Sequence, residues 1–136
     1  MTMNDVQAEM HNHHLQMAAT LDRYADDLQA TPITADVTGL VTFLKHDLLP
    51  HAQGEEAFLY PAVDPLIKSH GTATATMSID HEYILRYVNQ IEVIQNQLTS
   101  YNGEHRSALE ERLKMLVIQL QAIFALHLEK EERVYM

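Results

Sequence analysis

The amino-acid sequence predicts an all-α protein folded as an up-down-up-down four-helix bundle, for three reasons. Apolar residues recur at three- and four-residue steps along four long segments, which is the periodicity of one buried helix face. Helix breakers are few, with four glycines and four prolines. The links between the segments are short, which favours antiparallel neighbours. Because 46% of the 136 residues are hydrophobic, we expect a single domain over residues 1–136 around one core.

The first predicted helix covers residues 4–29 and is followed by a connector at residues 31–33. Its inward face consists of His14, Met17, Ala18, Leu21, Ala25 and Leu28. The second begins near Thr34 or Asp36, either of which can cap a helix, and continues to Pro61. Its inward face consists of Leu40, Phe43, Leu44, Leu48, His51, Glu55, Phe58 and Leu59. Because Pro50 removes the hydrogen bond back to residue 46, we expect a kink or a restarted helix just before His51.

Residues 65–76 form the next predicted connection, which can keep a helical end. The third helix covers residues 77–98 and places Ile84, Tyr87, Val88, Ile91 and Ile94 on one stripe with His81. Residues 100–103 contain turn-forming residues and are expected to end this helix. The fourth helix runs from about Glu104 to the end, and its stripe consists of Leu109, Leu113, Leu116, Val117, Leu120, Ile123, Phe124 and His127.

Composition excludes several classes of function. The chain has no cysteine, so a disulfide framework, a zinc thiolate site and an iron-sulfur cluster are all ruled out. A net charge of -10 with only nine Lys and Arg residues argues against a nucleic-acid partner. The sequence shows no apolar run long enough to span a membrane and no signal-like start, so we expect no membrane association and a cytoplasmic location.

Two related sequence motifs, called boxes below, give the strongest indication of a metal site. His51 and Glu55 lie four residues apart, as do His127 and Glu131, and each box continues with a second glutamate, Glu56 or Glu132. Residues four apart lie on one face of a helix, so each box offers two ligands to one site. One such pair arises easily by chance, but a doubled box does not.

The boxes lie on the predicted inward stripes, where an unpaired carboxylate or imidazole is costly to bury. Metal coordination removes that cost, and imidazole with carboxylate oxygen suits iron, manganese or zinc. Four histidines and two glutamates are more ligands than one ion needs, which favours two metal ions. In the first helix His14 continues the apolar stripe better than His11, and both remain candidates.

Other polar residues and rival sites carry weaker signals. Glu56 and Glu132 either hold the ligands from outside or are solvated. The tyrosines Tyr24, Tyr60, Tyr83 and Tyr87 could tune the site or relay electrons, but we expect them to pack in the ordinary way. We expect His46, His70 and His105 at the surface or in loops. A ferritin-like site would need glutamates where Leu48 and Phe124 stand, and a zincin would need a second histidine at Leu85.

The order His, His-x-x-x-Glu, His, His-x-x-x-Glu, with Glu-Glu and Leu-Tyr-Pro after the first box, resembles the hemerythrin-like (HHE cation-binding) family over nearly the whole chain. The resemblance implies two non-haem iron ions, with manganese or zinc as substitutes. It implies that His51, His81 and His127 are terminal metal ligands, that His14 supplies the ligand of the first helix, and that Glu55 and Glu131 bridge the ions.

The chain departs from the oxygen-carrying hemerythrins in two places. Met77 and Leu85 flank His81 where those proteins have a second histidine. Their last carboxylate follows its histidine by five residues, which here would select Glu132 rather than Glu131. This pattern favours oxidative or peroxide chemistry over reversible oxygen carriage.

The functional hypothesis is a di-iron protein that binds or reacts with O2, peroxide or NO at an open iron position. Oxidase and peroxide-decomposing activities are both compatible with it, and the sequence leaves open whether the protein is an enzyme. The alternative is an iron- or oxygen-responsive sensor or iron-handling module without turnover. A metal-free helical interaction module is a third hypothesis. We expect a monomer or a homodimer.

Overall fold

The computed structural model describes residues 3–29, 36–66, 74–101 and 103–134, nearly all of them helical. Helix α1 is Met3–Leu28, α2 covers residues 37–66, α3 is Thr74–Leu98 and α4 is Gly103–Val134. No strand occurs in these ranges, which confirms the all-α prediction. None of the helices described is long and apolar enough to cross a bilayer.

The helix ends agree with the predicted start and stop signals where the structure describes them. The Oδ1 atom of Asp36 accepts a hydrogen bond from the backbone N–H of Gly39 at 2.9 Å and so caps α2. Gly103 has a φ of 65°, a left-handed conformation that favours glycine, at the junction of α3 and α4. The predicted connector at residues 31–33, the alternative cap Thr34, and His70 lie outside the described residues.

Neighbouring helices are antiparallel, because contacts pair the beginning of one helix with the end of the next. The pairs that show this are His13 with Asp47 and Tyr24 with Phe43 (α1–α2), Lys45 with Glu92 and Glu56 with Ser78 (α2–α3), Asp80 with Lys130 and Gln90 with Arg112 (α3–α4), and His14 with Glu132 and Asp22 with Gln121 (α1–α4). The helices therefore form the predicted up-down-up-down bundle.

The core is a column of apolar side chains contributed by all four helices. On α1, α3 and α4 every residue predicted for the inward face is buried or half-buried. The fully buried members include Met17, Leu21, Leu28, Leu40, Leu44, Leu48, Ile84, Ile91, Leu113, Leu116 and Leu120. Removing such a side chain from water contributes about 1.5–3 kcal/mol to folding. This column leaves the histidine-bearing segments together at one end of the bundle.

Helix α2 differs from the prediction around its two prolines. The backbone stays helical through Pro50, since Leu48 and Leu49 keep α-helical angles, and the expected restart takes the form of a change of helix type, with an α-helical segment that begins at Leu49. The chain widens into a π-helical turn at Leu44–Leu48 and into a second one at Glu55–Leu59, just before Pro50 and Pro61. Each wide turn contains the carbonyl four residues before the proline, which loses its donor and must clear the ring.

The second π turn changes which residues of α2 face inward. Glu55 and Tyr60 are both buried although they lie five positions apart, whereas Phe58 is 78% exposed. The prediction that Phe58 lies on the inward face is therefore wrong, because it assumed an uninterrupted 3.6-residue period. The turn brings Tyr60 onto the face of α2 that carries Glu55.

Candidate metal centre

All six residues predicted as metal ligands meet at one end of the bundle. They form two groups of donor atoms, His14, His51 and Glu55 in one and Glu55, His81, His127 and Glu131 in the other. Within each group the donor atoms lie within 4.8 Å of one another. All of these residues are buried except His51, which is half-buried. Each group has the composition of a cation site built from imidazole and carboxylate.

Glu55 belongs to both groups, and its two oxygens face different histidines. Its Oε2 lies 3.3 Å from His51 Nε2 and 3.8 Å from His14 Nε2. Its Oε1 lies 3.0 Å from His81 Nε2 and 3.6 Å from His127 Nε2. This is the placement of a carboxylate that joins two adjacent sites.

Glu131 lies on one side of the centre only. Its Oε1 is 2.7 Å from His127 Nε2, and it belongs to the second group of donors alone. The expectation that Glu131 also bridges stays a prediction. Glu132, the alternative raised by the spacing of oxygen carriers, lies outside both groups.

The first helix offered two candidate histidines, and the structure separates them. The side chain of His14 is 2% exposed and its Nε2 lies 3.1 Å from His51 Nε2. The side chain of His11 is 51% exposed and its Nδ1 contacts Glu132 Oε2 at 3.0 Å. His14 therefore faces the centre and His11 faces outward.

Three histidines of the centre are held from outside by carboxylates. Nδ1 of His14 donates to Glu132 Oε1 at 3.0 Å, and Nδ1 of His127 donates to Asp80 Oδ2 at 3.0 Å. Nδ1 of His81 donates to Glu56 Oε1 at 2.8 Å, and the Oγ of Ser78 donates to the other oxygen of that glutamate. These contacts place a proton on Nδ1 and direct Nε2 inward, so Nε2 is the nitrogen available to a metal once any proton on it has left.

On the inward side of the centre, nitrogen and carboxylate oxygen atoms lie close together with few hydrogen-bond donors between them. Nε2 atoms face each other at 2.9 Å between His81 and His127. Among the described residues, both carboxylate oxygens of Glu55 and of Glu131 are buried and accept no well-directed hydrogen bond, although an imidazole nitrogen lies as near as 2.7 Å. Buried carboxylates and converging imidazole nitrogens are costly without positive charge between them. Protons supply that charge in the metal-free chain, and a metal cation can take their place. The residues present therefore fit a bound metal.

Burial and the neighbouring opposite charges shift the pKa values of His127, Glu131 and Glu55. Burial opposes a charge on His127, yet the carboxylates of Glu131, Glu55 and Asp80 raise the pKa of His127 to about 10. Burial raises the pKa of Glu131 to about 7, helped by Glu55 and opposed by His127. Burial also acts against ionised Glu55, but the imidazoles around it, first His127 and then His14, hold the pKa of Glu55 well below its usual range.

The other histidines that the structure describes and the second glutamates of the boxes lie at the surface or around the centre, outside the two donor groups. His46 and His105 are exposed, and Glu56 and Glu132 act on imidazoles rather than being only solvated. His13 is half-buried, donates to Asp47 from Nε2 at 2.9 Å, and sets its ring edge against His51. His13 therefore supports the centre from outside it.

Sequence reasoning missed Asp80 and preferred the wrong one of its two interpretations for Tyr60. Asp80 directly precedes His81, but its partner His127 lies on α4 and only helix packing brings the two together. Tyr60 was expected to pack in the ordinary way, whereas its phenol oxygen lies 3.4 Å from Nε2 of both His81 and His127. The sequence feature that could have indicated a role for Tyr60 is its position in the Leu-Tyr-Pro that follows the first box.

A cavity of about 260 Å³ opens beside the centre between α2 and α3. Its lining includes His81 and the Glu56–Ser78 pair that holds it, together with Leu49, Ala52, Gln53, Glu82 and Leu85. The cavity therefore reaches one of the imidazoles of the second donor group.

Comparison with known families agrees with this arrangement. The profile described as Hemerythrin HHE cation binding domain matches residues 2–136. Neither the curated proteins nor the solved structures contain a significant match to the chain. The match covers essentially the whole sequence, and the paired His and Glu groups converge as a cation site requires. The chain therefore belongs to the hemerythrin HHE cation-binding domain family.

Proposed function

We propose that this chain acts as one hemerythrin-like domain that holds two non-haem iron ions side by side, with Glu55 bridging them. We further propose that the centre binds or reacts with O2, peroxide or NO. One observation carries this proposal: the two oxygens of Glu55 face two separate groups of imidazoles. A single ion would not need donors on both sides of one carboxylate.

The donor sets favour iron among the metals that accept nitrogen and oxygen. His14, His51 and Glu55 make two imidazoles and one carboxylate, the donor set typical of non-haem Fe(II) with open positions. Manganese and zinc accept the same atoms and are expected to substitute in vitro. Bound iron supplies a change of oxidation state and open coordination positions for a small ligand.

The protein's own residues orient the donors and bury them at one end of the bundle. Glu132, Glu56 and Asp80 hold three imidazoles by Nδ1, which directs Nε2 inward and increases its basicity. The cavity between α2 and α3 reaches His81 and gives a small ligand a way to approach the second donor group.

The second candidate function is an iron- or oxygen-responsive sensor or iron-handling module without turnover. The observation that favours it is that the donors come from all four helices, so loss of the ions would change packing across one end of the bundle. Sustained peroxide turnover by the loaded protein would favour a reactive centre. A large change in helicity on iron removal, without turnover, would favour the sensor.

The test of the main proposal is metal analysis of the chain after anaerobic loading with Fe(II), together with an optical spectrum of the Fe(III) form after oxidation with ferricyanide. We expect about two irons per chain. His51→Ala and His127→Ala should abolish the spectrum and lower stability, whereas His105→Ala, whose side chain is exposed, should do neither. A chain that takes up no iron, or a His105→Ala variant as damaged as His127→Ala, would overturn the proposal.

A further inference from the structure

Tyr60 places a fifth donor atom beside the second group of the centre. Its phenol oxygen lies 3.4 Å from His81 Nε2 and 3.4 Å from His127 Nε2, and its side chain is buried. The ring stacks on the His81 imidazole, with 5.5 Å between centroids and an angle of 20° between the planes. This stacking limits the directions in which the phenol oxygen can point.

The local backbone explains how a tyrosine reaches this position. In a regular α-helix, a residue five positions after Glu55 would be turned well away from it. The π turn at Glu55–Leu59 absorbs the extra residue, and the backbone N–H of Tyr60 bonds to the carbonyl of Glu55. Glu55 and Tyr60 therefore point to the same centre from consecutive turns of α2.

The distances are those of donors that share one ion. Two donors that are each about 2.1 Å from a metal and at right angles lie about 3 Å apart. Contacts within the second group range from 2.7 Å for His127–Glu131 to 3.6 Å for His127–Glu55. The two contacts of the Tyr60 oxygen, both 3.4 Å, fall inside this range.

We propose that Tyr60 is a ligand of the ion held by Glu55, His81, His127 and Glu131, an inference that rests on the proposed iron centre. On ligation the phenol O–H bond breaks, the proton leaves to solvent and an oxygen lone pair forms the bond to iron, with no electron transferred. A phenolate is a hard anionic donor of the kind that also ligates haem iron. It stabilises Fe(III) over Fe(II) at this ion.

This assignment makes the centre asymmetric. One ion then has five protein donors, Glu55, His81, His127, Glu131 and Tyr60, while the other has three, His14, His51 and Glu55. The open coordination positions therefore lie mainly on the ion held by α1 and α2.

The experiment uses the full chain loaded with Fe(II) without oxygen and then oxidised with ferricyanide. We expect a visible phenolate-to-iron(III) charge-transfer band, whose resonance Raman ring modes shift in protein grown on ring-deuterated tyrosine. Tyr60→Phe should lose this band and keep about two irons per chain. Tyr24→Phe, which alters a ring stacked on Phe43, and Tyr87→Phe on α3 are the matched controls and should keep the band.

The outcomes separate this inference from the iron proposal. Iron uptake by the wild type without a phenolate band, or a band that persists in Tyr60→Phe, would overturn the Tyr60 assignment and leave the iron centre standing. A wild type that takes up no iron would overturn the centre itself. If Tyr60→Phe does not retain iron, an isotope shift in the wild type together with unchanged bands in Tyr24→Phe and Tyr87→Phe would support the Tyr60 assignment. A wild-type band without the isotope shift, or its loss in either control variant, would overturn it.

Discussion

Adjacent glutamates have different environments in this protein because one residue along a helix turns a side chain by about 100°. Glu55 and Glu131 point into the bundle, while Glu56 and Glu132 reach the Nδ1 atoms of histidines on neighbouring helices. Each His-x-x-x-Glu-Glu box thus supplies two inward donors and one outer carboxylate that orients a donor from another helix.

The clearest prediction at the residue scale compares Glu131 with Glu132, whose side chains are 1% and 29% exposed. Glu132→Gln should weaken iron binding by about 10- to 100-fold, because it removes only the carboxylate that orients His14. Glu131→Gln should weaken it more, because it removes a charged donor. Competition with a coloured chelator measures both affinities. Equal losses, or a larger loss in Glu132→Gln, would contradict the assignment of Glu131 as the donor.

At the scale of the element, α2 depends on its two π turns. They let the helix pass Pro50 and Pro61 without breaking, and they set which side chains face the core over residues 44–60. Leu48 is buried at the end of the first turn, and Phe58 is exposed within the second. An uninterrupted α-helix would have rotated Phe58 toward the core.

These positions predict very different costs of truncation. Phe58→Ala should change the free energy of unfolding by less than about 0.5 kcal/mol, because the ring is already in water. Leu48→Ala should lower the free energy of unfolding by about 2–5 kcal/mol, because it leaves a cavity in the core. Urea denaturation of the metal-free protein measures both. A cost for Phe58→Ala that approaches that of Leu48→Ala would mean that α2 follows the uninterrupted period.

At the scale of the whole molecule, protons and metal ions compete for the same end of the bundle. The pKa of His127 is raised from 6.5 to about 10, so its stabilising contribution is complete below pH 6.5 and is lost as the pH rises through 10. The pKa of Glu131 is raised from 4.5 to about 7, so stability also falls as the pH rises between those values. The lowered pKa of Glu55 acts the other way, and its contribution is lost as the pH falls below 4.5.

The metal-free protein should therefore be most stable at mildly acidic pH, near 5, and its melting temperature should fall toward pH 9. Metal binding requires the deprotonated ligands, so the rise in melting temperature caused by Fe(II) or Zn(II) should grow from pH 5 to pH 8. Calorimetry of metal-free and loaded protein at matched ionic strength measures this difference. His105→Ala is the control and should reproduce the wild-type curve. A metal-induced rise that is largest at pH 5 would contradict the proposed ligands.

The sequence by itself determined the features that depend on local spacing. Stripes of apolar residues defined four helices, and residues such as Leu21, Ile91 and Leu120 were placed in the core correctly because a helix face repeats every 3.6 residues. The His-x-x-x-Glu boxes were recognisable for the same reason, since residues four apart share a helix face. The family, confirmed by the match over residues 2–136, followed from the order of these boxes.

Only the tertiary structure decided which groups meet across helices. The division of Glu55 between two sets of imidazoles, the contact of Asp80 with His127 and the inward position of Tyr60 all depend on helix packing or on a π turn. Local periodicity carries no information about a partner dozens of residues away, and it fails where the helix itself changes period. Phe58 was therefore assigned to the wrong face of α2.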